Sequence, residues 1–298
     1  WREQVLWGLL GADLVAFHTD EYRGNFLRSC QRQLGDSGLK VRGTSVVMPD
    51  GRVVATAAAP ISIDAREFAA LADDPEVKTN VLELEEQFSG RTVLLGVDRL
   101  DYTKGIIERL LAVEMILERN PELRQSVTFL QIAVPSRDDV REYRQLRSNV
   151  EQHVGRINGI YTRPGNDVPV HYLYRGLKPK QLAAYYSFAD ALLVTPLIDG
   201  MNLVCKEYVT VQDARGGSGL LVLSEFTGAA VELSAAVLCN PFDVEGLSYR
   251  IEQSLSLAES TRRRAIQKMA RQVRTHDVHH WVASQLGEIA ARGASTAG

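Results

Sequence analysis

From residue 92 onward, short apolar segments alternate with longer amphipathic ones, and this alternation constrains the fold more than any other feature of the sequence. Helical patterns such as 106–118 and 139–154 separate the apolar segments. Strands and helices that alternate in this way predict a parallel β-sheet covered by helices on both faces. We therefore expect an α/β fold whose strands lie at 92–97, 127–134, 170–174, 191–195, 220–223 and 236–239.

Residues 1–63 have a different organisation, and we expect them to form a domain of their own. They combine a helix-like start with a β-rich stretch and look like the closing part of a larger domain. The second predicted domain, 64–298, begins with a charged helical pattern at 65–88 that is broken near Pro75. It ends with two or three helical patterns over 244–291.

Composition limits the partners, the membrane association and the cellular compartment that we expect for this chain. The chain has 298 residues, 45% of them hydrophobic, which is enough for a substantial core. A formal net charge of −3 argues against nucleic acid as the main partner, because no face has to be basic. No apolar run approaches the length of a membrane span. The cysteines, Cys30, Cys205 and Cys239, show no CxxC spacing and predict buried thiols in a reducing, cytoplasmic compartment.

Basic residues follow the first two predicted strands of the sheet. Because ligands of parallel sheets bind beyond the carboxyl ends of the strands, these residues are candidate ligand contacts. Arg99 and Lys104, in GVDRLDYTKG, are expected to form a phosphate clamp, with ordinary surface charges as the alternative. Arg137, in VPSRDDV, is either a second phosphate or sugar contact or the ion-pair partner of Asp138 or Asp139.

The segment VTPLIDGMNLVCKEYV, at 194–209, passes from a strand pattern through a turn directly into a helix pattern. Unpaired backbone N–H groups at such a helix start bind anions such as a diphosphate. Asp199 is expected to accept hydrogen bonds from sugar hydroxyls, or else simply to cap the helix. Glu207 is expected to reach a ribose, or else to be an exposed helix glutamate. The candidate residues of this segment are Asp199, Gly200, Met201, Asn202, Leu203 and Glu207.

Five motifs together resemble, in order and spacing, a known enzyme family. It is the retaining glycosyltransferase family 20, the trehalose-6-phosphate synthases, and the similarity runs from about residue 10 to about residue 290. The resemblance implies a GT-B fold of two Rossmann-like domains, with 1–63 as a remnant of the first. It also implies transfer of glucose from a nucleoside diphosphate glucose to glucose 6-phosphate, with no metal or other cofactor. The motifs are GVDRLDYTKG, VPSRDDV, GRINGIY, TPLIDGMNLVCKEYV and LSEFTGAAVEL.

The resemblance further implies roles for individual residues. Arg99 and Lys104 match the cations that hold the donor diphosphate, and with Asp199 they are the expected catalytic residues. Arg137 matches an arginine that reaches toward the acceptor phosphate, and Glu207 matches the ribose ligand. The remaining donor contacts are Gly176, Leu177 and Leu182, at the nucleobase, and Gly200, Met201, Asn202 and Leu203, at the glucose and the phosphates.

Three positions depart from the family pattern. Ile198 stands where arginine is usual, Val231 where a polar or acidic residue is usual, and His18 where glutamine is usual. The first two remove polarity beside the donor site and favour an alternative, a non-catalytic nucleotide-sugar-binding module. A related transferase with another phosphorylated acceptor, such as glycerol 3-phosphate, is a second alternative. UDP-glucose is the expected donor, with GDP and ADP as the other candidate carriers.

The acceptor-binding side chains of the family's first domain have no counterpart in this sequence. We therefore expect these 298 residues to bind the nucleotide without transferring glucose on their own. We also expect apolar positions of the first segment to be poorly covered and to favour self-association into a homo-oligomer. These positions are Leu6, Leu9, Leu10 and Phe17.

Overall fold

The computed structural model describes residues 1–137, 139–163 and 168–296, and the chain forms two compact units. We name Ile63–Thr275 the parallel-sheet unit, and Trp1–Ser62 together with the residues from His276 onward the terminal unit. The domain division near residue 63 stays a prediction. The residues from His276 onward, which that division assigned to the second domain, group with the first segment of the chain.

The terminal unit contains a mixed four-stranded sheet. Its first elements are α1 (Arg2–Leu9), β1 (Leu14–Phe17), α2 (Asp20–Leu34), β2 (Lys40–Arg42), β3 (Ser45–Val47) and β4 (Val53–Ala58). The strands lie in the order β1–β4–β3–β2, with β1 parallel to β4 and the other pairs antiparallel. The side chain of Thr19 caps α2 by accepting a hydrogen bond from the Tyr22 N–H group, which explains the sharp start of this helix.

The packing of α1 corrects part of the expected exposure of apolar residues. Leu6 and Leu10 are buried, because α1 packs on α2 and both leucines join Phe26 in one hydrophobic cluster. Phe17 is half-buried, with its ring centroid 5.1 Å from that of Phe26. Leu9 is exposed, as expected. Self-association of the chain stays a prediction.

The parallel-sheet unit confirms the predicted α/β fold. Its strands are β5 (Thr92–Arg99), β6 (Val127–Val134), β7 (Val170–Tyr174), β8 (Ala191–Val194), β9 (Leu220–Ser224) and β10 (Val237–Cys239). In the described part of the chain they form one six-stranded sheet in which all neighbouring strands are parallel. The predicted strand positions differ from these bounds by two residues or fewer at either end.

The strand order is β10–β9–β8–β5–β6–β7, so the chain starts in the middle of the sheet. From β5 it proceeds to β6 and β7 on one side, and then returns to β8 on the other side. After β5 and after β8 the chain therefore continues toward opposite edges of the sheet. Ligands of open α/β sheets bind at such a switch point, beyond the carboxyl ends of the strands.

Alternating side chains of the sheet enter two separate hydrophobic clusters. Val93, Leu95 and Val97 belong to one cluster, while Leu94 of the same strand belongs to the other. This alternation is the two-residue period of a strand that is covered on both faces. The sheet is thus buried on both sides, and only its edges and strand ends can present polar groups to a ligand.

Helices cover these faces. They are α3 (Ala65–Leu71), α4 (Pro75–Gln87), α5 (Ile106–Arg119), α6 (Leu123–Ser126), α7 (Arg141–Tyr161), α8 (Pro179–Phe188), α9 (Val204–Ala214), α10 (Ala229–Glu232), α11 (Val244–Leu255) and α12 (Glu259–Thr275). The break that was predicted near Pro75 is confirmed, because Pro75 starts α4 and the Asp74 side chain caps it.

The last helix, α13 (Val278–Thr296), belongs to the terminal unit. Its Trp281 indole N–H group donates to the Ala59 carbonyl oxygen over 3.1 Å. None of the described helices is both long enough and apolar enough to cross a membrane.

Candidate functional site

The switch point of the sheet brings two of the predicted motifs together. Lys104 ends a short 3₁₀ turn that follows β5, and Asp199 lies in the loop that follows β8. The Lys104 Nζ atom is 2.7 Å from Asp199 Oδ2, and the two side chains are only 13% and 14% exposed. This largely buried ion pair marks the centre of the candidate site. The sequence placed both residues at the strand ends but did not predict their contact.

Gly105 allows the Lys104 turn to pack closely against the end of β8. Its φ angle of 62° lies in the left-handed region, and a Cβ atom there would lie 2.2 Å from the Thr195 carbonyl oxygen. The Leu197 N–H group also donates to the Thr103 carbonyl oxygen over 2.7 Å. The two loops of the site are therefore joined through their backbones, and only glycine fits at their closest approach.

Arg99 differs from Lys104 in its surroundings. It is the last residue of β5 and is exposed. Its guanidinium group forms no hydrogen bond or ion pair with any of the residues that the structure describes. Of the two predicted cations, Lys104 is thus already paired with Asp199, and Arg99 is available to a ligand.

The start of α9 has the free donors that the sequence predicted. Within the described chain, none of the backbone N–H groups of 200–203 donates to a protein acceptor. Asn202 caps the helix, because its Oδ1 atom accepts from the Cys205 N–H group over 3.0 Å. The alternative role of Asp199 as the helix cap is therefore wrong. Asp199 Oδ2 instead accepts from Asn202 Nδ2 over 3.3 Å, in addition to Lys104.

Glu207 is half-buried on α9, so its alternative interpretation as an exposed glutamate is wrong. Burial raises its pKa above the ordinary value, although a hydrogen bond from Tyr186 opposes that shift. The Tyr186 hydroxyl donates to Glu207 Oε2 over 2.7 Å. Burial also raises the pKa of Tyr186 well above its ordinary value, so the phenol remains a hydrogen-bond donor. One oxygen of Glu207 is thereby held in place.

The residues expected at the nucleobase lie beyond β7. Gly176 is exposed in the loop between β7 and α8, and Leu177 and Leu182 are half-buried against the adjacent hydrophobic cluster. Met201 and Leu203 pack against the same cluster from the loop before α9. These residues thus combine partial exposure with fixed positions, as an apolar wall of a ligand site requires.

Arg137 follows β6 and has the strained backbone that is common at functional sites. Its φ angle is 51°, the only positive value for a non-glycine residue in the described parts of the chain. Its Nη1 atom donates to the Tyr143 hydroxyl over 3.0 Å. An ion pair with Asp139 is not observed, and Asp138, its other predicted alternative partner, lies outside the described residues.

Sequence reasoning missed the buried side chain that supports this site. Arg109 on α5 is completely buried, and its guanidinium group contacts Asp98 Oδ2 at 2.6 Å and Gln131 Oε1 at 2.9 Å. It also donates to Thr195 Oγ1 over 3.0 Å and to the Lys104 carbonyl oxygen over 3.3 Å. Arg109 therefore ties β5, β6, the end of β8 and the Lys104 turn together. The available signal was its place on the apolar stripe of α5.

No group of His, Cys, Asp and Glu side chains suited to a metal ion occurs among the residues that the structure describes. The polar groups of the site are instead cations, backbone N–H donors and two carboxylates. Such a set suits a ligand that carries both phosphate and hydroxyl groups.

Comparisons with known proteins agree with this chemistry. The family model described as Glycosyltransferase family 20 matches residues 1–291. The trehalose-6-phosphate synthase of Mycolicibacterium paratuberculosis is 43% identical over 300 residues, which cover 98% of this chain and 60% of that protein. The chain thus spans about three fifths of the length of this relative.

Solved structures show the same similarity. An α,α-trehalose-phosphate synthase (UDP-forming) from Burkholderia vietnamiensis superposes with a TM-score of 0.92 and 32% identity, covering 99% of this chain and 62% of that one. The enzyme of the same name from Burkholderia xenovorans, in complex with glucose-6-phosphate, gives a TM-score of 0.88 and 34% identity, covering 96% and 62%. The resemblance that the five motifs indicated is confirmed.

Proposed function

Because the chain belongs to glycosyltransferase family 20, we propose that its parallel-sheet unit binds the donor of a retaining glucosyl transfer. The donor is a nucleoside diphosphate glucose, with UDP as the expected carrier, and the acceptor is glucose 6-phosphate. The product is trehalose 6-phosphate. Cytoplasmic localisation belongs to the same proposal.

The Lys104–Asp199 ion pair is the observation that carries this proposal. Ammonium groups bind phosphate oxygens, whereas carboxylates accept hydrogen bonds from sugar hydroxyls. A pair of the two at 2.7 Å suits the junction between the phosphate and the glucose of a nucleotide sugar. The free N–H groups of 200–203 extend the phosphate side of that junction.

The proposed mechanism relies on charge stabilisation and positioning. As the bond from glucose to phosphate breaks, negative charge develops on the departing diphosphate. Arg99, Lys104 and the N–H groups at the start of α9 stabilise that charge, and their fixed positions require little reorganisation. Arg137 orients the phosphate of the acceptor. The acceptor hydroxyl then attacks from the face on which the diphosphate leaves, and its proton passes to an oxygen of the departing diphosphate. No side chain acts as a nucleophile.

The remaining contacts bind the nucleoside. Glu207, held by Tyr186, accepts hydrogen bonds from the ribose hydroxyls through its second carboxylate oxygen. Leu177 and Leu182 form an apolar wall for the base beside Gly176, where the absence of a side chain leaves the backbone open to the ligand.

Isothermal titration calorimetry with UDP tests the donor assignment. Arg99→Ala and Lys104→Ala should each weaken binding by about 1.5–3 kcal/mol, or roughly 10- to 150-fold, because each removes a charge-assisted contact to phosphate. Lys104→Ala should also lower the melting temperature, since it leaves the Asp199 carboxylate unpaired and largely buried. Arg99→Ala should leave the melting temperature unchanged.

Lys78→Ala is a matched control, because Lys78 is an exposed lysine of the same unit that pairs with Asp73. Its UDP affinity should equal that of the unaltered chain. If neither Arg99→Ala nor Lys104→Ala changes UDP affinity, the assignment of the diphosphate site is wrong. GDP and ADP titrated in parallel test the expected preference for uracil.

A further inference from the structure

The Asp101 carboxylate divides its two oxygens between two parts of the site. Oδ1 accepts from the Thr103 N–H group over 2.9 Å and from the Thr103 hydroxyl over 2.8 Å, which fixes the turn that carries Lys104. Oδ2 accepts from the Tyr143 hydroxyl over 3.1 Å. Asp101 and Tyr143 are both buried.

The Tyr143 hydroxyl can only donate to Asp101 and accept from Arg137. Asp101 is held ionised: burial alone would raise its pKa, but hydrogen bonds from Thr103 and Tyr143, together with the Arg99 charge, bring the pKa below the ordinary value. An ionised carboxylate only accepts hydrogen bonds, and an arginine only donates them. The single phenol proton therefore points to Asp101, and the phenol oxygen accepts from Arg137 Nη1 over 3.0 Å.

Arg137 needs such support because its backbone is strained. A left-handed conformation of a non-glycine residue persists only where the surroundings determine it. Tyr143 provides a hydroxyl acceptor and also an aromatic ring, whose centroid lies 5.5 Å from the Arg137 guanidinium carbon. A continuous set of hydrogen bonds thus runs from the Lys104 turn through Asp101 and Tyr143 to Arg137.

We propose that Tyr143 is a positioning residue that holds the Arg137 guanidinium ready for a phosphomonoester, and that Asp101 couples this second anion site to the Lys104 turn. The identities of both ligands, the nucleoside diphosphate and the phosphomonoester at Arg137, rest on the proposed function. Coupling through Asp101 means that a diphosphate that orders the Lys104 turn also orders Tyr143 and Arg137. Each ligand should therefore increase the affinity of the other by the same factor.

Calorimetric titration of glucose 6-phosphate into the chain, with and without saturating UDP, tests this proposal. Tyr143→Phe removes only the hydroxyl, and it should weaken glucose 6-phosphate binding about 3- to 10-fold, as expected for one hydrogen bond. It should leave UDP affinity unchanged and lower the melting temperature only slightly, because Asp101 loses one hydrogen bond but keeps the two from Thr103. Arg137→Ala gives the affinity that remains when the second anion site is lost.

Tyr249→Phe is the matched control. Tyr249 also lies beneath an arginine, with the Arg119 guanidinium carbon 4.1 Å from its ring centroid, but it is exposed on α11. Loss of its hydroxyl should change neither affinity. Inorganic phosphate should compete with glucose 6-phosphate and glucose should not, if the shared phosphate chemistry is what Arg137 recognises.

Asp101→Asn tests the coupling. In the unaltered chain UDP should increase glucose 6-phosphate affinity, and in Asp101→Asn that increase should disappear. The proposal is overturned if Tyr143→Phe binds glucose 6-phosphate as well as the unaltered chain does. It is also overturned if the unaltered chain binds no phosphomonoester. A purely structural role of Tyr143 would also contradict it, and would appear as losses of UDP affinity and stability as large as the loss of glucose 6-phosphate affinity in Tyr143→Phe.

The proposed function fails independently, if the unaltered chain does not bind UDP. In that case the titrations without nucleotide still decide whether Tyr143 supports a phosphate site at Arg137.

Discussion

Two arginines, one in each unit, join separate segments of the chain in opposite environments. Arg109 in the parallel-sheet unit is fully buried and contacts side chains from three strands or strand ends. Arg52 in the terminal unit donates to the backbone carbonyl oxygens of Leu10 and Ala12 and lies near Asp13, but its side chain is 35% exposed. Both therefore connect distant segments, but only Arg109 does so without access to water.

The difference between them shows where charged groups can hold a structure in place. A charge in the interior is tolerated only with complete partners, so Arg109 imposes one arrangement on the loops above it. A charge that reaches solvent can exchange its partners for water at little cost. The strand ends that carry the candidate site lie over the buried Arg109, which explains their fixed positions.

The largest expected effect is that of Arg109→Ala. It leaves Asp98 buried without its partner, and it should lower the free energy of unfolding of the parallel-sheet unit by about 3–5 kcal/mol. Urea denaturation followed by circular dichroism measures this loss. Arg119→Ala is the control, because Arg119 pairs with Glu252 at a partly exposed position and should cost about 0–1 kcal/mol. Equal effects of the two changes would contradict the comparison.

An intermediate effect is expected for Glu207→Gln. Loss of the charged acceptor should weaken UDP binding by about 1.5–3 kcal/mol, as is typical of hydrogen bonds to an ionised group. Calorimetry at neutral pH measures the change. Glu3→Gln, at an exposed glutamate of the terminal unit, should leave the affinity as it is.

Glu207 should also affect the pH dependence of stability. Its pKa is raised above the ordinary value of 4.5, so the folded chain holds the proton more tightly than the unfolded chain does. The free energy of unfolding should therefore fall as pH rises from that value through the folded pKa. Glu207→Gln should remove this contribution. If the pH dependence of the free energy of unfolding is the same in the variant, burial of the Glu207 carboxylate does not lower stability.

The smallest effect is expected for Arg52→Ala. Water can replace both of its carbonyl contacts, so the free energy of unfolding should change by about 0–1 kcal/mol. Hydrogen exchange of β1 and β4 would detect a local loosening. A loss as large as that of Arg109→Ala would mean that exposure does not explain the difference between the two arginines.

Much of the parallel-sheet unit could be predicted from local patterns. Both bounds of β7 were predicted, because a short apolar segment between helical patterns has few other interpretations. Arg99, the last residue of β5, and Lys104, Arg137 and Asp199, which follow strands, were all placed near strand ends by the predicted strand positions. Their common edge followed from the sheet being parallel. Leu10 was harder, because its burial depends on α2, a separate element whose packing no local pattern describes.

The candidate site was predicted in its members but not in its contacts. Asn202 and Asp199 are both good helix caps, and only the path of the loop decided that Asn202 takes that role. The support of Arg137 by Tyr143 was also missed, since a tyrosine on an apolar helix stripe is usually an ordinary core residue.

The sequence by itself determined the alternation of strands and helices, the residues that follow each strand, and the family to which the chain belongs. Periodicity and motif spacing are local properties, so they can be read without knowing which strands are neighbours. The tertiary structure alone decided that Lys104 meets Asp199 across 95 positions and that Arg109 lies beneath them. The Lys104–Asp199 contact depends on the strand order, which places β8 beside β5. The contacts of Arg109 depend on its complete burial, because a charge that water cannot reach must be paired within the protein.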